Sequence, residues 1–182
     1  MQLKPTRLAG VVEIEPRVFE DDRGFFFESW NRRDFESAGL ECRFVQDNHS
    51  RSTRGTLRGL HYQIPRAQGK LVRVTAGRVF DVAVDLRATS PTLGSWVGVW
   101  LSAEERNMLW IPPGFAHGFY VDSPQADLLY KCTEFFYPED DRTIRWDDPD
   151  LAIDWPLEEN NSPLLSAKDA AGTMLAEADL YP

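Results

Sequence analysis

Apolar and polar residues alternate in short runs along this chain, and turn-forming residues separate the runs. Residues 10–15 (Gly-Val-Val-Glu-Ile-Glu) alternate and predict a strand that stays extended through Phe19. Asp21-Asp-Arg-Gly24 predicts a turn, because Asp favours turn starts and Gly tolerates positive φ. Residues 25–30 (Phe-Phe-Phe-Glu-Ser-Trp) predict an aromatic strand, and Asn31 caps a short helix to about Ala38 that Gly39 ends. Residues 42–46 predict another strand, with Asp47-Asn-His-Ser50 as its polar exit.

From Thr53 onward the strand–turn rhythm is dense. Strands are predicted at 57–63, 70–75, 78–86, 94–101, 108–111, 119–121 and 127–136. In the 78–86 strand, Val79, Asp81, Ala83 and Asp85 alternate with Phe80, Val82, Val84 and Leu86, giving one apolar face and one with two carboxylates. Pro112-Pro-Gly-Phe-Ala-His-Gly118 predicts a stiff loop. Residues 166–180 predict a helix, with Ser166 as N-cap and Asp169 three positions on. Many short strands with helices only near the ends imply a mainly β antiparallel barrel or double-sheet jelly roll. The expected organisation is one domain over residues 1–182, with a terminal helical appendage at about 163–182.

A hydrophobic fraction of 42% is enough for a globular core. The formal net charge of −9 argues against nucleic-acid partners, whose phosphates require a positive face. Local cations can still hold a small anion in a cleft. Cys42 and Cys132 form no C-x-x-C and read as reduced core residues of a cytoplasmic protein, with a disulfide as the weaker alternative. The N-terminus has no apolar targeting core, and no apolar run is long enough to span a bilayer.

Chemistry concentrates in Arg58-Gly-Leu-His61-Tyr-Gln63 and Lys70-Leu-Val-Arg-Val-Thr75, where an imidazole, a guanidinium and an ammonium lie close in sequence. His61 reads either as a hydrogen-bonded core histidine or as a base near neutral pKa. On a regular strand Arg58 and His61 point to opposite faces, so a shared pocket requires a bulge at Gly59. His117 is a turn histidine or a second polar contact. His49 reads as a solvated turn residue. Tyr130 is a core tyrosine or a proton donor. Asp169 orients a histidine or starts the last helix, and Asp81 competes with it as partner for His61 or Lys70. His61-Tyr-Gln63 lacks the H-x-H pair and following Glu of a metal-binding barrel of this kind, so the pocket reads as metal-free.

Eight segments in order resemble the dTDP-4-dehydrorhamnose 3,5-epimerases, a nucleotide-sugar enzyme family. They are Asp22-Arg-Gly-Phe-Phe-Phe-Glu28, Phe44-Val-Gln-Asp-Asn-His-Ser50, Gly55-Thr-Leu-Arg-Gly-Leu-His-Tyr-Gln63, Gly69-Lys-Leu-Val-Arg-Val74, Asp81-Val-Ala-Val-Asp-Leu-Arg87, Ile111-Pro-Pro-Gly-Phe-Ala-His-Gly-Phe119, Tyr130-Lys-Cys-Thr133 and Trp146-Asp-Asp-Pro-Asp-Leu-Ala-Ile-Asp-Trp-Pro156. The resemblance covers about Val11 to Asp169. It implies a cupin-type antiparallel double-stranded β-helix with short terminal helices, and epimerisation at C3 and C5 of dTDP-4-dehydro-6-deoxy-D-glucose without a cofactor.

The resemblance also implies roles. His61 would be the general base, Asp169 its orienting carboxylate, Tyr130 the proton donor on the other face of the sugar, and Lys70 the cation at the enolate oxygen. Arg58, His117, Gln46, Asn48 and Lys168 match substrate-binding positions. Arg23, Phe26 and Glu28 match nucleotide contacts that the family supplies from the second subunit of a homodimer. Asp141 stands where the family usually has Glu, keeping the charge with a shorter reach.

Overall fold

The computed structural model of the chain describes residues 1–157 and 162–182. The elements in order are β1 (Gln2–Pro5), β2 (Val12–Glu15), β3 (Phe19–Asp21), β4 (Gly24–Phe26), α1 (Arg32–Ser37), β5 (Gln46–Thr53), β6 (Leu57–Gln63), β7 (Lys70–Ala76) and β8 (Arg78–Asp85). They continue with β9 (Trp96–Ser102), β10 (Met108–Ile111), β11 (Phe115–Val121), β12 (Gln125–Cys132), β13 (Asp141–Thr143) and α2 (Ala167–Ala170), then a 3₁₀ turn at Leu175–Glu177.

Two antiparallel sheets face each other, in the order β1-β2-β10-β7-β12-β5 and β13-β6-β11-β8-β9. This is the jelly roll expected. Strands β3 and β4 form a separate two-stranded hairpin.

Period-2 alternation sends one row of each strand into the space between the sheets. At one end that space is apolar: Val72, Val74, Leu109, Ile111 and Leu128 meet Val79, Ala83, Val97, Leu101 and Phe119. Both outer faces are covered as well. Ile144, Leu151, Trp155 and Tyr181 pack on the outer row Leu60, Tyr62, Val82 and Val84 of the five-stranded sheet. Phe35 and Cys42 cover Ile14, Leu71 and Met108 of the six-stranded sheet. Each fully buried Leu or Ile contributes roughly 1.5–3 kcal/mol, so the C-terminal crossing is part of the core. From Asp81 onward the 78–86 strand is thus buried on both faces, with Asp81 and Asp85 at 0% exposure and Asp85 satisfied by Arg87, Ser90 and Thr92.

Several local expectations gave way to tertiary pairing. The aromatic strand stops at Phe26. Asp47–Ser50 is the middle of β5, because this polar segment pairs with β12 along its whole length. The Pro-Pro-Gly loop ends at Gly114, and Phe115 to Gly118 belong to β11, which is held by β6 on one side and β8 on the other. The strand expected at 127–136 starts at Gln125 and ends at Cys132. The helix expected over 166–180 shrinks to one turn. Ser166 caps it, accepting from the Asp169 N–H at 3.1 Å. Then Gly172 presses onto the backbone just after β13, where an added Cβ would lie 2.9 Å from the Arg145 nitrogen, and Thr173 bridges Ile144. A continuing helix would lose that backbone pairing.

Candidate active site

The open end of the inter-sheet space is a cavity of about 340 Å³. From the six-stranded sheet, the inward row of β5 supplies Gln46, Asn48 and Ser50, β12 supplies Tyr130, and β7 supplies Lys70. From the five-stranded sheet, β6 supplies Arg58, His61 and Gln63, and β11 supplies His117 and Phe119. Asp141 and Lys168 close the rim beside Phe136 and Gln68.

A bulge settles the parity conflict on β6. His61 lies opposite His117 and Arg58 opposite Phe119, so Gly59 and Leu60 together face the single residue Gly118. Both Arg58 and His61 therefore turn inward, and Leu60 joins the outer core. Only glycine fits there. Gly59 has φ +127°, and a Cβ on it would lie 2.5 Å from the Gly118 Cα.

His61 is paired with Asp169, its Nε2 2.6 Å from Oδ1. Asp169 is 2% exposed and also accepts from Ser166 Oγ at 2.7 Å and from the Gly59 N–H at 3.3 Å. Burial alone would raise its pKa, but the hydrogen bonds from His61 and Ser166 outweigh that and hold it at about 2. The carboxylate favours the tautomer with its proton on Nε2, which leaves the Nδ1 lone pair free. Burial lowers the His61 pKa below 6.5, against the pull of Asp169, so the ring is a free base at neutral pH.

Asp81, the competing candidate, belongs to another pair: His117 Nε2 lies 2.9 Å from its Oδ2. Neither His61 nor Lys70 takes Asp81 as its hydrogen-bond partner among the described residues; Lys70 Nζ donates to the His61 carbonyl at 3.4 Å. Burial lowers the Lys70 pKa. An oxyanion entering the cavity would give this ammonium a far stronger partner than that carbonyl. Burial raises the Tyr130 pKa and keeps the phenol protonated. Its ring meets that of His117 edge-on, with centroids 6.5 Å apart. His61 and Tyr130 thus project from facing sheets, and a flat ligand between them would meet one on each side.

At the mouth, Arg58 donates to Ser52 Oγ at 3.0 Å and keeps an exposed guanidinium. Gln46 donates to Asn48 at 3.0 Å. Lys168 is ion-paired with Asp141. His49 sits on β5 instead of a turn, exposed and 3.8 Å from Asp127. Arg23, Phe26 and Glu28 are not brought to the cavity of their own chain. Arg23 pairs with Asp21 at the hairpin turn, Phe26 is 67% exposed, and Glu28 accepts from Asn31.

The residue reading missed Ser50, Gln63, Gln68, Phe119 and Phe136. Ser50 was accessible by parity from Gln46 and Asn48, and Gln63 by parity from His61. Gln63 is buried and pins the 135–137 turn, donating to the Phe135 carbonyl and accepting from the Tyr137 N–H. That turn carries Phe136 to the rim. No local sequence signal marks this long-range contact. Cys42 and Cys132 are both buried and free. Among the described residues no three His, Cys, Asp or Glu side chains converge as metal ligands do.

The family model described as dTDP-4-dehydrorhamnose 3,5-epimerase matches residues 5–177. The dTDP-4-dehydrorhamnose 3,5-epimerase of Pseudomonas aeruginosa is 63% identical over 183 residues, covering 99% of this chain and 100% of the relative. The chain belongs to the dTDP-4-dehydrorhamnose 3,5-epimerase family. Among solved members, the Legionella pneumophila dTDP-6-deoxy-D-glucose-3,5-epimerase in complex with dTDP-4-keto-L-rhamnose superimposes with a TM-score of 0.94 at 54% identity, covering 98% of this chain and 94% of that one. A 3'-monoepimerase from Streptomyces bikiniensis in complex with dTDP-quinovose gives a TM-score of 0.88 at 34% identity, covering 94% of this chain and 87% of that one. The epimerase family is therefore matched in sequence and in fold over nearly the whole chain.

Proposed function

We propose that this epimerase inverts C3 and C5 of dTDP-4-dehydro-6-deoxy-D-glucose, giving dTDP-4-dehydro-L-rhamnose. The observation that carries the reading is the placement of a His61–Asp169 pair and Tyr130 on facing sheets of one cavity, with a buried Lys70 beside them. The C3 and C5 hydrogens are both α to the C4 ketone. Nδ1 of His61 removes one, and Asp169 stabilises the imidazolium that forms. The electron pair moves onto the C4 oxygen, where the Lys70 ammonium meets the developing charge. Tyr130 then protonates the same carbon from the opposite face, which inverts it. The tyrosinate is reprotonated and His61 deprotonated before the second carbon reacts. Each half-reaction conserves protons and electrons.

Arg58, His117, Gln46, Asn48 and Lys168 are assigned to holding the sugar and diphosphate, and Asp141 to the nucleotide side of the rim. The chain is further read as a homodimer in which the β3–β4 hairpin of one subunit, with Arg23 and Phe26, and Glu28 just after it complete the partner's cavity. Phe19, Phe25 and Phe26 are 51%, 57% and 67% exposed in the single chain, which supports a covering partner. Residues 1–182 form one domain in this proposal, with the C-terminal segment covering the five-stranded sheet. Two buried free cysteines suit a reducing, cytoplasmic setting. Among the described residues no helix is long and apolar enough to cross a membrane.

NMR of the product formed from dTDP-4-dehydro-6-deoxy-D-glucose in D₂O tests the reaction. Deuterium at both C3 and C5 with the L-rhamno configuration is expected. Inversion at C3 alone, the monoepimerase outcome, would overturn the double assignment.

A further inference from the structure

The hairpin that carries Arg23 and Phe26 has little to hold it. Both of its strands are exposed along their whole length and pair with neither main sheet. An isolated two-stranded hairpin is marginal in water. Two cations of the body reach it. The Arg106 Nη1 lies 2.9 Å from Glu20 Oε1, and its guanidinium sits 4.3 Å over the Phe25 ring. Glu20 and Phe25 are cross-strand partners, so this one side chain grips β3 and β4 together. Arg73 lies 5.9 Å over Phe27, which stacks on Phe25 with centroids 5.9 Å apart. Alternation then turns Phe26 the other way, away from the body.

Arg106 is built for this place. It follows the Ser102–Glu105 turn with φ +58°, uncommon for a residue other than glycine, and its N–H donates to the Ser102 carbonyl at 3.0 Å. Its side chain is 24% exposed, whereas that of Glu20 is 63% exposed. The more sheltered end of the pair is the cation on the body, and the exposed end is the hairpin.

We propose that Arg106, with Arg73 as a second support, is a positioning residue that holds the β3–β4 hairpin in the orientation that presents Arg23 and Phe26 to the neighbouring subunit's nucleotide. This rests on the reading that the hairpin completes the partner's cavity. The hairpin touches the nucleotide and not the reacting carbons, so loosening it removes binding shared by ground and transition states. That raises KM and leaves kcat alone. A hairpin docked only part of the time weakens apparent affinity by the docked fraction.

The test is steady-state kinetics with the dTDP-ketosugar on purified full-length protein, with oligomeric state and thermal unfolding measured in parallel. Arg106→Ala is expected to raise KM about five- to tenfold with kcat within twofold, in line with the loss of one cation–π contact and one ion pair. Arg106→Lys should restore a substantial part of the affinity, and trypsin should cut at Arg23 faster in the Ala variant. Glu20→Gln, at an exposed position, should raise KM a few-fold and serves if Arg106→Ala does not fold. Arg23→Ala is the control for the underlying reading. If Arg23→Ala raises KM while Arg106→Ala and Glu20→Gln leave it unchanged, the clamp is wrong and the hairpin reading stands. If Arg23→Ala itself leaves KM unchanged, the hairpin reading is wrong and the clamp falls with it.

Discussion

Replacing Asp169 with Asn keeps the shape of the side chain and removes its charge, so it isolates what the carboxylate does for His61. Against its burial, hydrogen bonds from His61, Ser166 and the Gly59 N–H hold the Asp169 carboxyl below its usual range, at about 2. A hydrogen bond to a charged group contributes roughly 1.5–3 kcal/mol, and losing about 2 kcal/mol of imidazolium stabilisation is about 30-fold in rate. The amide adds a second effect. If its NH₂ turns to His61, it donates to Nε2 and forces the ring proton onto Nδ1, where the base should be. Together the two effects give an expected fall in kcat of about 10²–10⁴. The assay is deuterium incorporation at C3 and C5 followed by NMR, with thermal unfolding measured beside it.

The same variant has a stability signature of determined sign. The folded-state pKa of Asp169 is depressed, so its stabilisation is complete above pH ~4 and is lost as pH falls towards 2. The stability gap between the parent and Asp169→Asn should close over that interval. Exchange within threefold of the parent in a well-folded Asp169→Asn protein would refute the reasoning, because His61 would then need no carboxylate.

Two further outcomes follow from the same geometry. Tyr130→Phe should lower formation of inverted product at least 10²-fold while proton removal continues, visible as deuterium entering C3 or C5 with retention; loss of exchange together with inversion would instead make Tyr130 the base. The acid limb of kcat/KM should lie below pH 6.5, since burial lowers the His61 pKa and protonation silences the base as pH falls; an acid limb at pH 7 or above would contradict that environment.

Much of the site could be read along the chain because it is written in alternation. Gln46, Asn48 and Ser50 share a parity on β5, and Lys70, Val72 and Val74 share one on β7. Once two sheets are assumed, each inward row points into the same space. Alternation broke down at β6, where Arg58 and His61 have opposite parity. The bulge that reconciles them depends on a close approach of Gly59 to Gly118, more than fifty residues apart in sequence. Asp169 carried two readings, helix start and histidine partner, and both are true: its N–H takes the Ser166 cap while its carboxylate reaches His61. Residue pattern alone left the choice between Asp81 and Asp169 for His61 open, and only the family resemblance pointed to Asp169. Asp81 sits in register with Phe119 on β11, two positions from His117, and only pairing across strands reveals this. The 166–180 helix failed because Ala-rich spacing carries no information about the backbone bridge at Thr173.

The account turns on His61 as the group that removes the substrate proton. His61→Ala, mixed with the dTDP-ketosugar in D₂O and followed by NMR, tests that directly. Deuterium incorporation at C3 and C5 is expected to fall at least ~10²-fold, with thermal unfolding and ligand binding close to those of the parent. Near-parental incorporation at either carbon in the folded variant would contradict the account and move the base elsewhere in the cavity.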